Sequence, residues 1–332
     1  ALLAVSIRIF GESQLAARLL LALVGTLACG LVYLLGARLF STRVGLVAAA
    51  CCAVSPTLAG FSVLVLSETL FAVMLLLCLL AASQLVTTDR TLEDPPRLLT
   101  AATVGLTAVA TCYVRPGWLA AIPLFALLSI GAIRPRRRTL LEAAVVLLVL
   151  FIGLLPWAWR NQQVSGHPVF TTLWGGPSLY DGLNPRATGA SDMRFIKDHG
   201  LFAQAEMTEY KIDQHYRREA WDFAASHPGQ VVQLALKKVW RVLKPWPNAD
   251  QFDQPWQLLL IATATLPLYI LAVRGCWRVP VGTSRFLIVA GPLLYFTALH
   301  MVFVGSLRYR VPVEYPLWIL AAVGCSREVA DT

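Results

Sequence analysis

The chain has 332 residues, of which 57% are hydrophobic and only 14% are charged. A soluble domain carries about 25% charged residues, so this composition excludes an ordinary soluble enzyme and indicates a chain covered by lipid. The net charge of +9 does not indicate nucleic-acid binding, because Lys and Arg also flank membrane spans. The cysteines include no CxxC pair and the histidines no HExxH spacing, so neither a disulfide framework nor a histidine-based metal site is predicted.

Uncharged apolar runs divide the sequence into about nine predicted spans, since a transmembrane helix needs about 20 apolar residues. Only the last run contains a charged residue, Glu314. We therefore predict an all-α integral membrane protein of about nine transmembrane helices. The runs are 19–37, 44–67, 69–88, 98–114, 116–133, 143–159, 256–273, 286–307 and 311–326.

Basic residues in the short loops predict the orientation of these spans. If the first run ends inside, the dense cluster RPRRR at 134–138 is cytoplasmic, as the positive-inside rule favours. The chain then starts outside, so we expect an earlier helix to precede Ala1. The predicted cytoplasmic arginines are Arg38, Arg43, Arg90, Arg97, Arg134, Arg136, Arg137, Arg138, Arg274, Arg278, Arg285 and Arg327.

One long polar stretch interrupts the apolar runs and is predicted to be a small, mainly helical cap outside the cytoplasm. Its first part, 165–189, is rich in Gly, Pro and Asn and predicts turns. Apolar residues near a 3.6-residue period predict helices over 202–226 and 230–243, with a break at His227-Pro228-Gly229. The predicted regions are a membrane region of about six spans, the cap, and a membrane region of about three spans, over 1–159, 160–256 and 257–332.

Glu68 is the only charged residue between Arg43 and Asp89, and a carboxylate at a helix centre would cost about 3 kcal/mol. A break at Pro56 would allow a helical hairpin that brings Glu68 to the outer surface. One interpretation is structural: Ser67 caps a helix and Glu68 interacts with its dipole. The other is functional: Glu68 faces an outer cavity as a base, a sugar anchor or a metal ligand.

Four arginines lie at the outer ends of predicted spans, where the topology rule predicts few basic residues. Each alone could be a snorkelling anchor. Together they predict a basic pocket for a phosphate-bearing lipid, because guanidinium groups bind phosphate bidentately. They are Arg115, Arg160, Arg308 and Arg310.

Polar and aromatic residues near these arginines are further candidates. Asn161 could orient Arg160 or a sugar hydroxyl. The glycine-rich loop predicted over 174–185 carries aromatic residues, which suit either a stacking platform for sugar rings or an ordinary interfacial loop. His300 lies in an apolar run, where it is either hydrogen-bonded to a neighbouring helix or directed at the cavity.

Short motifs in chain order resemble those of the GT-C class of polytopic glycosyltransferases, and most closely the bacterial protein mannosyltransferase and aminoarabinose transferase-like families. The motifs are Ile9-Phe10-Gly11-Glu12-Ser13 with Ala17-Arg18-Leu19, Leu66-Ser67-Glu68-Thr69-Leu70-Phe71, Arg115-Pro116, Pro156-Trp157 with Arg160-Asn161, Gly176, Leu179-Tyr180, Asn184-Pro185, Gly189, and Arg308-Tyr309-Arg310 with Pro312.

The resemblance implies a sugar transfer from a polyprenyl-phosphate donor to a lipid, glycan or protein acceptor on the outer face of a bacterial plasma membrane. A carboxylate would deprotonate the acceptor hydroxyl, and arginines would stabilise the departing lipid phosphate. Glu68 matches the second acidic position of these families, and the first is expected ahead of Ala1. The implied catalytic residue is therefore Glu68, and the implied substrate-binding residues are Arg115, Arg160, Asn161, Tyr180, Asn184, His300, Arg308, Tyr309 and Arg310.

The sequence leaves the metal requirement open, with a divalent cation as the candidate cofactor. A lipid or glycan flippase and a non-catalytic membrane subunit are the alternative functions. Transporters tend to carry internal repeats and charges at the bilayer midplane. This chain has no evident repeat and keeps its unusual charges at one rim, which favours the enzyme.

Overall fold

The computed structural model describes residues 2–86, 96–132, 136–204, 206–248, 252, 254–280 and 283–326. Within these ranges the regular elements are all helical, without a β-strand, which agrees with the predicted all-α class. Three of the predicted cytoplasmic arginines, Arg90, Arg134 and Arg327, lie outside the described residues.

Sixteen α-helices follow one another along the described chain. The first eight are α1 (Leu2–Phe10), α2 (Gln14–Leu39), α3 (Thr42–Val54), α4 (Pro56–Val63), α5 (Glu68–Val86), α6 (Leu98–Val114), α7 (Ala121–Ala132) and α8 (Arg136–Ser165). The others are α9 (Gly175–Gly182), α10 (Phe195–His199), α11 (Glu209–Ser226), α12 (Pro228–Leu243), α13 (Pro255–Cys276), α14 (Ser284–Val289), α15 (Gly291–Val302) and α16 (Leu307–Cys325). Short 3-10 helices occupy Pro116–Trp118 and Leu201–Ala203.

Four of the described helices, α2, α5, α8 and α13, are long and apolar enough to cross a membrane. Helices α3 and α4 together make a fifth candidate, bent by 60°. The break lies where it was predicted, because Pro56 cannot continue α3 and instead starts α4, with Ser55 as its cap. Shorter apolar helices cover Leu98–Val114, Pro116–Ile130 and Gly291–Val302. The all-α membrane class is confirmed, while the number of nine spans stays a prediction.

The chain forms two compact units. Unit 1 comprises Ala1–Leu150, Pro245–Leu293 and Val311–Thr332, and unit 2 comprises Phe151–Lys244 and Leu294–Arg310. Unit 2 therefore holds most of the predicted cap together with segments that the sequence assigned to the membrane regions. The predicted boundaries at 159 and 256 stay predictions.

Small residues allow the helices of unit 1 to approach closely. A Cβ on Gly36 of α2 would lie 2.8 Å from the Cα of Gly45 in α3. Gly275 of α13 approaches the backbone of Leu320 in α16 in the same way. Helices packed in lipid gain most from such close contact, because there is no water between them to expel.

The core of unit 2 is formed by two clusters of apolar side chains. One joins α9, α11 and α12 and contains Leu179, Leu183, Ala220, Phe223 and Leu234. The other, which contains Phe195, Ile212 and Tyr216, joins α10 to α11.

Several predicted segments of unit 2 have different bounds in the structure. The stretch predicted as turns contains the helix α9, and its Gly176 is required because a Cβ there would clash with the backbone of Asp213. Helix α11 begins at Glu209 rather than 202, since the Thr208 hydroxyl caps it by accepting from the Lys211 amide. The break at His227 is confirmed, but Pro228 already starts α12, as proline commonly does.

Candidate functional site

The predicted catalytic residue and one predicted arginine contact each other in unit 1. A nitrogen of Arg115, Nη2, donates to Oε1 of Glu68 at 2.6 Å. The Glu68 side chain is 0% exposed and that of Arg115 is 14% exposed. Sequence reasoning treated Glu68 as a capping or catalytic group, and the structure adds that it forms a buried ion pair.

Local backbone structure positions this pair. Glu68 is the first residue of α5, so its side chain leaves from a helix start. Arg115 follows the last residue of α6 with an extended backbone (φ −142°, ψ 106°), as the residue before a proline prefers. Its Nε lies 3.5 Å from Oγ of Ser67, and its guanidinium carbon lies 5.7 Å from the ring centre of Phe71. The guanidinium group is thus oriented by a carboxylate, a hydroxyl and an aromatic ring.

A second group of predicted residues lies in unit 2, at the end of α8. Nη1 of Arg160 donates to Oδ1 of Asn161 at 3.1 Å, while Nδ2 of Asn161 donates to the Val169 carbonyl at 2.6 Å. The guanidinium carbon of Arg160 also lies 5.2 Å from the ring centre of Trp157. Asn161 therefore orients Arg160, which is one of the two roles the sequence suggested, and the Arg160 side chain remains exposed.

Tyr180 and Asn184 have structural partners within unit 2. The Tyr180 ring packs against Phe195 and Tyr216, with ring centres 5.0 and 5.2 Å away. The Asn184 amide donates to the Tyr180 carbonyl at 2.6 Å and accepts from the Arg186 amide at 2.8 Å, so it satisfies backbone groups at the end of α9. These contacts account for the positions of Tyr180 and Asn184 without a ligand. Their roles in sugar binding stay predictions.

The third group lies around the connection between α15 and α16. Nδ1 of His300 is 2.7 Å from the Phe296 carbonyl, and its ring stacks on Tyr309 at 4.0 Å. Arg308 and Tyr309 lie in the first turn of α16, which begins at Leu307, four residues earlier than the predicted run. The Arg308 side chain is exposed, whereas His300 is buried.

Arg310 has a position that the sequence did not predict. Its side chain is fully buried, and Nη1 donates to the carbonyls of Val242 and Lys244 at 3.2 and 2.7 Å. These carbonyls lie at the end of α12, where unsatisfied acceptors and the helix dipole favour a cation. Arg310 therefore holds the C-terminus of α12.

Lys238, a buried lysine of unit 2, was not predicted from the sequence, where it is one of several basic residues in an amphipathic stretch. Its Nζ donates to the carbonyls of Met301 and Val302, at 3.2 and 2.8 Å, where α15 ends. Burial lowers the pKa of Lys238 to about 8, and the neighbouring carboxylate of Asp181 opposes this shift. Burial raises the pKa of Asp181 itself, although its oxygens accept from Ser191 Oγ and the Asp192 amide, each at 2.7 Å.

The described residues provide no preformed metal centre, since no three His, Cys, Asp or Glu side chains among them come together to hold an ion. All seven cysteines are free. The divalent cation suggested by the sequence therefore stays a prediction. The structure brings Glu68 together with Arg115, Arg160 with Asn161, and His300 with Tyr309.

Comparison with known proteins agrees with the family resemblance predicted from the sequence motifs. Residues 1–157, slightly less than half of the chain, match the family model of the dolichyl-phosphate-mannose-protein mannosyltransferases. This region contains Glu68 and Arg115. No curated protein matches the chain.

One solved structure that is similar to this chain is the archaeal oligosaccharyltransferase AglB from Archaeoglobus fulgidus, in complex with an inhibitory peptide and a dolichol-phosphate. The TM-score is 0.49 and the sequence identity is 16%, over 96% of this chain and 40% of the oligosaccharyltransferase. The chain thus spans less than half the length of that protein. The family match over residues 1–157 confirms the resemblance, predicted from the motifs, to the GT-C class of polytopic glycosyltransferases.

Proposed function

We propose that this chain is part of a membrane glycosyltransferase that moves a sugar from a polyprenyl-phosphate donor to an acceptor outside the cytoplasm. The observation that carries the proposal is the buried Glu68–Arg115 pair, which lies inside the region matched by the mannosyltransferase family. A buried ion pair is a poor way to stabilise a fold, because two apolar residues often serve as well or better. Its presence in an apolar unit favours a functional role.

The chemistry of the transfer suggests how the pair acts. The acceptor oxygen bonds to the anomeric carbon, the bond from that carbon to the phosphate oxygen breaks, and the lipid phosphate leaves with the electron pair. A carboxylate takes the acceptor proton. Arg115, the partly exposed member of the pair, binds the departing phosphate, since a guanidinium group stabilises this developing charge. Glu68, which is fully buried and paired with Arg115, fixes the orientation of Arg115. In this proposal Glu68 is therefore a positioning residue rather than the catalytic base that the family resemblance implied.

The test compares Glu68→Gln with wild type in the complete protein, including any segment that precedes Ala1. Release of polyprenyl phosphate from polyprenyl-phosphate mannose is measured in reconstituted vesicles. A misplaced phosphate-binding group costs about 10²-fold in rate, so we expect a loss of that order with unchanged expression. The matched control is Glu219→Gln, an exposed carboxylate of α11, which should retain wild-type turnover.

Two outcomes would count against the proposal. Wild-type turnover in Glu68→Gln would show that the ion pair has only a structural role. Movement of the intact lipid-linked sugar across the vesicle membrane without release of polyprenyl phosphate would instead support the flippase alternative.

The exposed arginines of unit 2 are proposed to contribute to donor binding, as the sequence suggested for Arg160 and Arg308. Exchange to lysine preserves the charge but loses the planar fork that binds phosphate bidentately. If these residues bind the donor, Arg160→Lys and Arg308→Lys should raise the KM for the donor more than they lower kcat. Unchanged KM values would identify them as snorkelling anchors.

The outer-face location is a further part of the proposal. In a background without the native cysteines, a cysteine introduced at Thr188 in unit 2 should react with an impermeant thiol reagent in intact cells, and one introduced at Arg137 should not. Both positions are exposed, so access to the reagent differs only by the side of the membrane. The reverse pattern would contradict the predicted orientation.

A further inference from the structure

Helix α12 in unit 2 has apolar residues on two opposite faces. One face, with Leu234, Ala235 and Val242, is buried in the unit. The opposite face carries Val232, Leu236 and Trp240, which are 61%, 64% and 57% exposed. Because these three positions are four residues apart, they form one continuous stripe about 12 Å long on the helix surface. We call it the α12 stripe.

The charges of α12 indicate what kind of surface the stripe meets. The helix contains Lys237, Lys238 and Arg241 and not a single acidic residue. Lys238 is buried, and Nε of Arg241 donates to the Gly305 carbonyl at 3.1 Å. Lys237, which is exposed, lies beside the stripe. An apolar stripe with a large aromatic residue and a basic edge matches the boundary between acyl chains and anionic lipid headgroups.

Two exposed tryptophans follow in the sequence and belong to unit 1. Trp246 is 38% exposed and Trp256 is 64% exposed, and Trp256 stands at the start of the candidate span α13. Tryptophan is enriched at membrane–water interfaces, where its ring is buried and its N–H remains hydrated. At 16 residues with three basic side chains, α12 itself is too short and too charged to cross a bilayer.

We propose that the α12 stripe binds the surface of an anionic phospholipid bilayer, with Val232, Leu236 and Trp240 inserted among the upper acyl chains and Lys237 at the headgroups. This interaction concerns unit 2 alone and does not depend on the proposed transferase activity. The exposed stripe can be changed without opening the core, since Leu236 packs into neither of the clusters that form it.

The experiment uses the full chain with a bimane probe on Leu236→Cys, reconstituted in vesicles of equal parts phosphatidylglycerol and phosphatidylcholine with brominated acyl chains. Gln230→Cys is the matched control, because it is exposed on the same helix outside the stripe, on the side of Lys237, which lies seven residues away. Both variants carry Cys325→Ser, which removes the only exposed cysteine among the described residues. The Cys325→Ser parent is labelled in parallel as background.

We expect the brominated chains to quench the probe at position 236, with a blue-shifted emission. The probe at position 230 should be quenched much less, because that side of the helix lies at the headgroups. Vesicles of phosphatidylcholine alone should give weaker quenching at position 236. Absence of quenching there, as a protein partner or another part of the chain over the stripe would produce, overturns the proposal. Equal quenching at both positions also overturns it, as does equal quenching in both kinds of vesicle.

Discussion

Two sites, one in each unit, bury charged side chains by different means. In unit 1, Glu68 and Arg115 neutralise each other at 2.6 Å. In unit 2, Lys238 and Arg310 are fully buried and donate to backbone carbonyls where α15 and α12 end. A helix C-terminus already offers several acceptors and a partial negative charge, so a buried cation there needs no carboxylate in direct contact. Glu68 and Arg115 also lie at helix ends, the start of α5 and the end of α6, but there the two charged side chains contact each other directly. The proposal of a functional role for unit 1 depends on that contact.

Breaking the ion pair should have the largest effect on stability. Arg115→Met removes the guanidinium group and leaves a buried carboxylate without its strongest partner. Loss of one member of a buried pair costs about 3–5 kcal/mol, and we expect a decrease of that order in the free energy of unfolding. Reversible unfolding in mixed micelles measures it. Arg218→Met, at an exposed position of α11, is the control and should change little.

A double variant sharpens this prediction. Glu68→Gln combined with Arg115→Met removes both charges, so it should be more stable than Arg115→Met alone. Equal stability of the double variant and Arg115→Met would show that Glu68 and Arg115 are not energetically coupled.

Removing the buried lysine of unit 2 should have an intermediate effect. Lys238→Met keeps the length of the side chain but removes the donor to the carbonyls of Met301 and Val302. A hydrogen bond from a charged group contributes about 1.5–3 kcal/mol, so we expect a loss of about 2 kcal/mol at neutral pH. Lys237→Met, the exposed neighbour, should leave the free energy of unfolding nearly unchanged.

The effect of Lys238 should also depend on pH. Burial lowers its pKa from the ordinary value of 10.5 to about 8, so between these values the unfolded chain binds more protons than the folded chain. Stability contributed by this group therefore rises as the pH increases from about 8 to about 10. The difference in unfolding free energy between wild type and Lys238→Met, measured across this range, should increase. A flat or falling difference would show that Lys238 is not desolvated.

The sequence was informative where a single residue breaks a strong pattern. Glu68 interrupts a long uncharged run, and Pro56 interrupts a helix, so both positions could be identified directly. The pairing of Glu68 with Arg115 joins residues 47 positions apart, and hydropathy contains no information about such a contact. The roles of Lys238 and Arg310 were also hidden, because the carbonyls that bind them belong to helix ends whose positions depend on tertiary packing. The prediction of turns was wrong at α9, where Gly176 allows close packing of a helix against α11.

The smallest effect is expected for the exposed ion pairs of unit 2, in which both side chains are largely open to solvent. Nη1 of Arg186 lies 3.1 Å from Oδ2 of Asp198, with side chains 81% and 48% exposed. Water and salt screen such a pair, so it contributes less than about 1 kcal/mol. Arg186→Gln should therefore lower the free energy of unfolding by less than Lys238→Met does, and the small difference should vanish at high salt. A loss as large as that of Lys238→Met would show that burial does not determine how much a charged side chain contributes to stability. It would also remove the physical basis of the comparison between the two units.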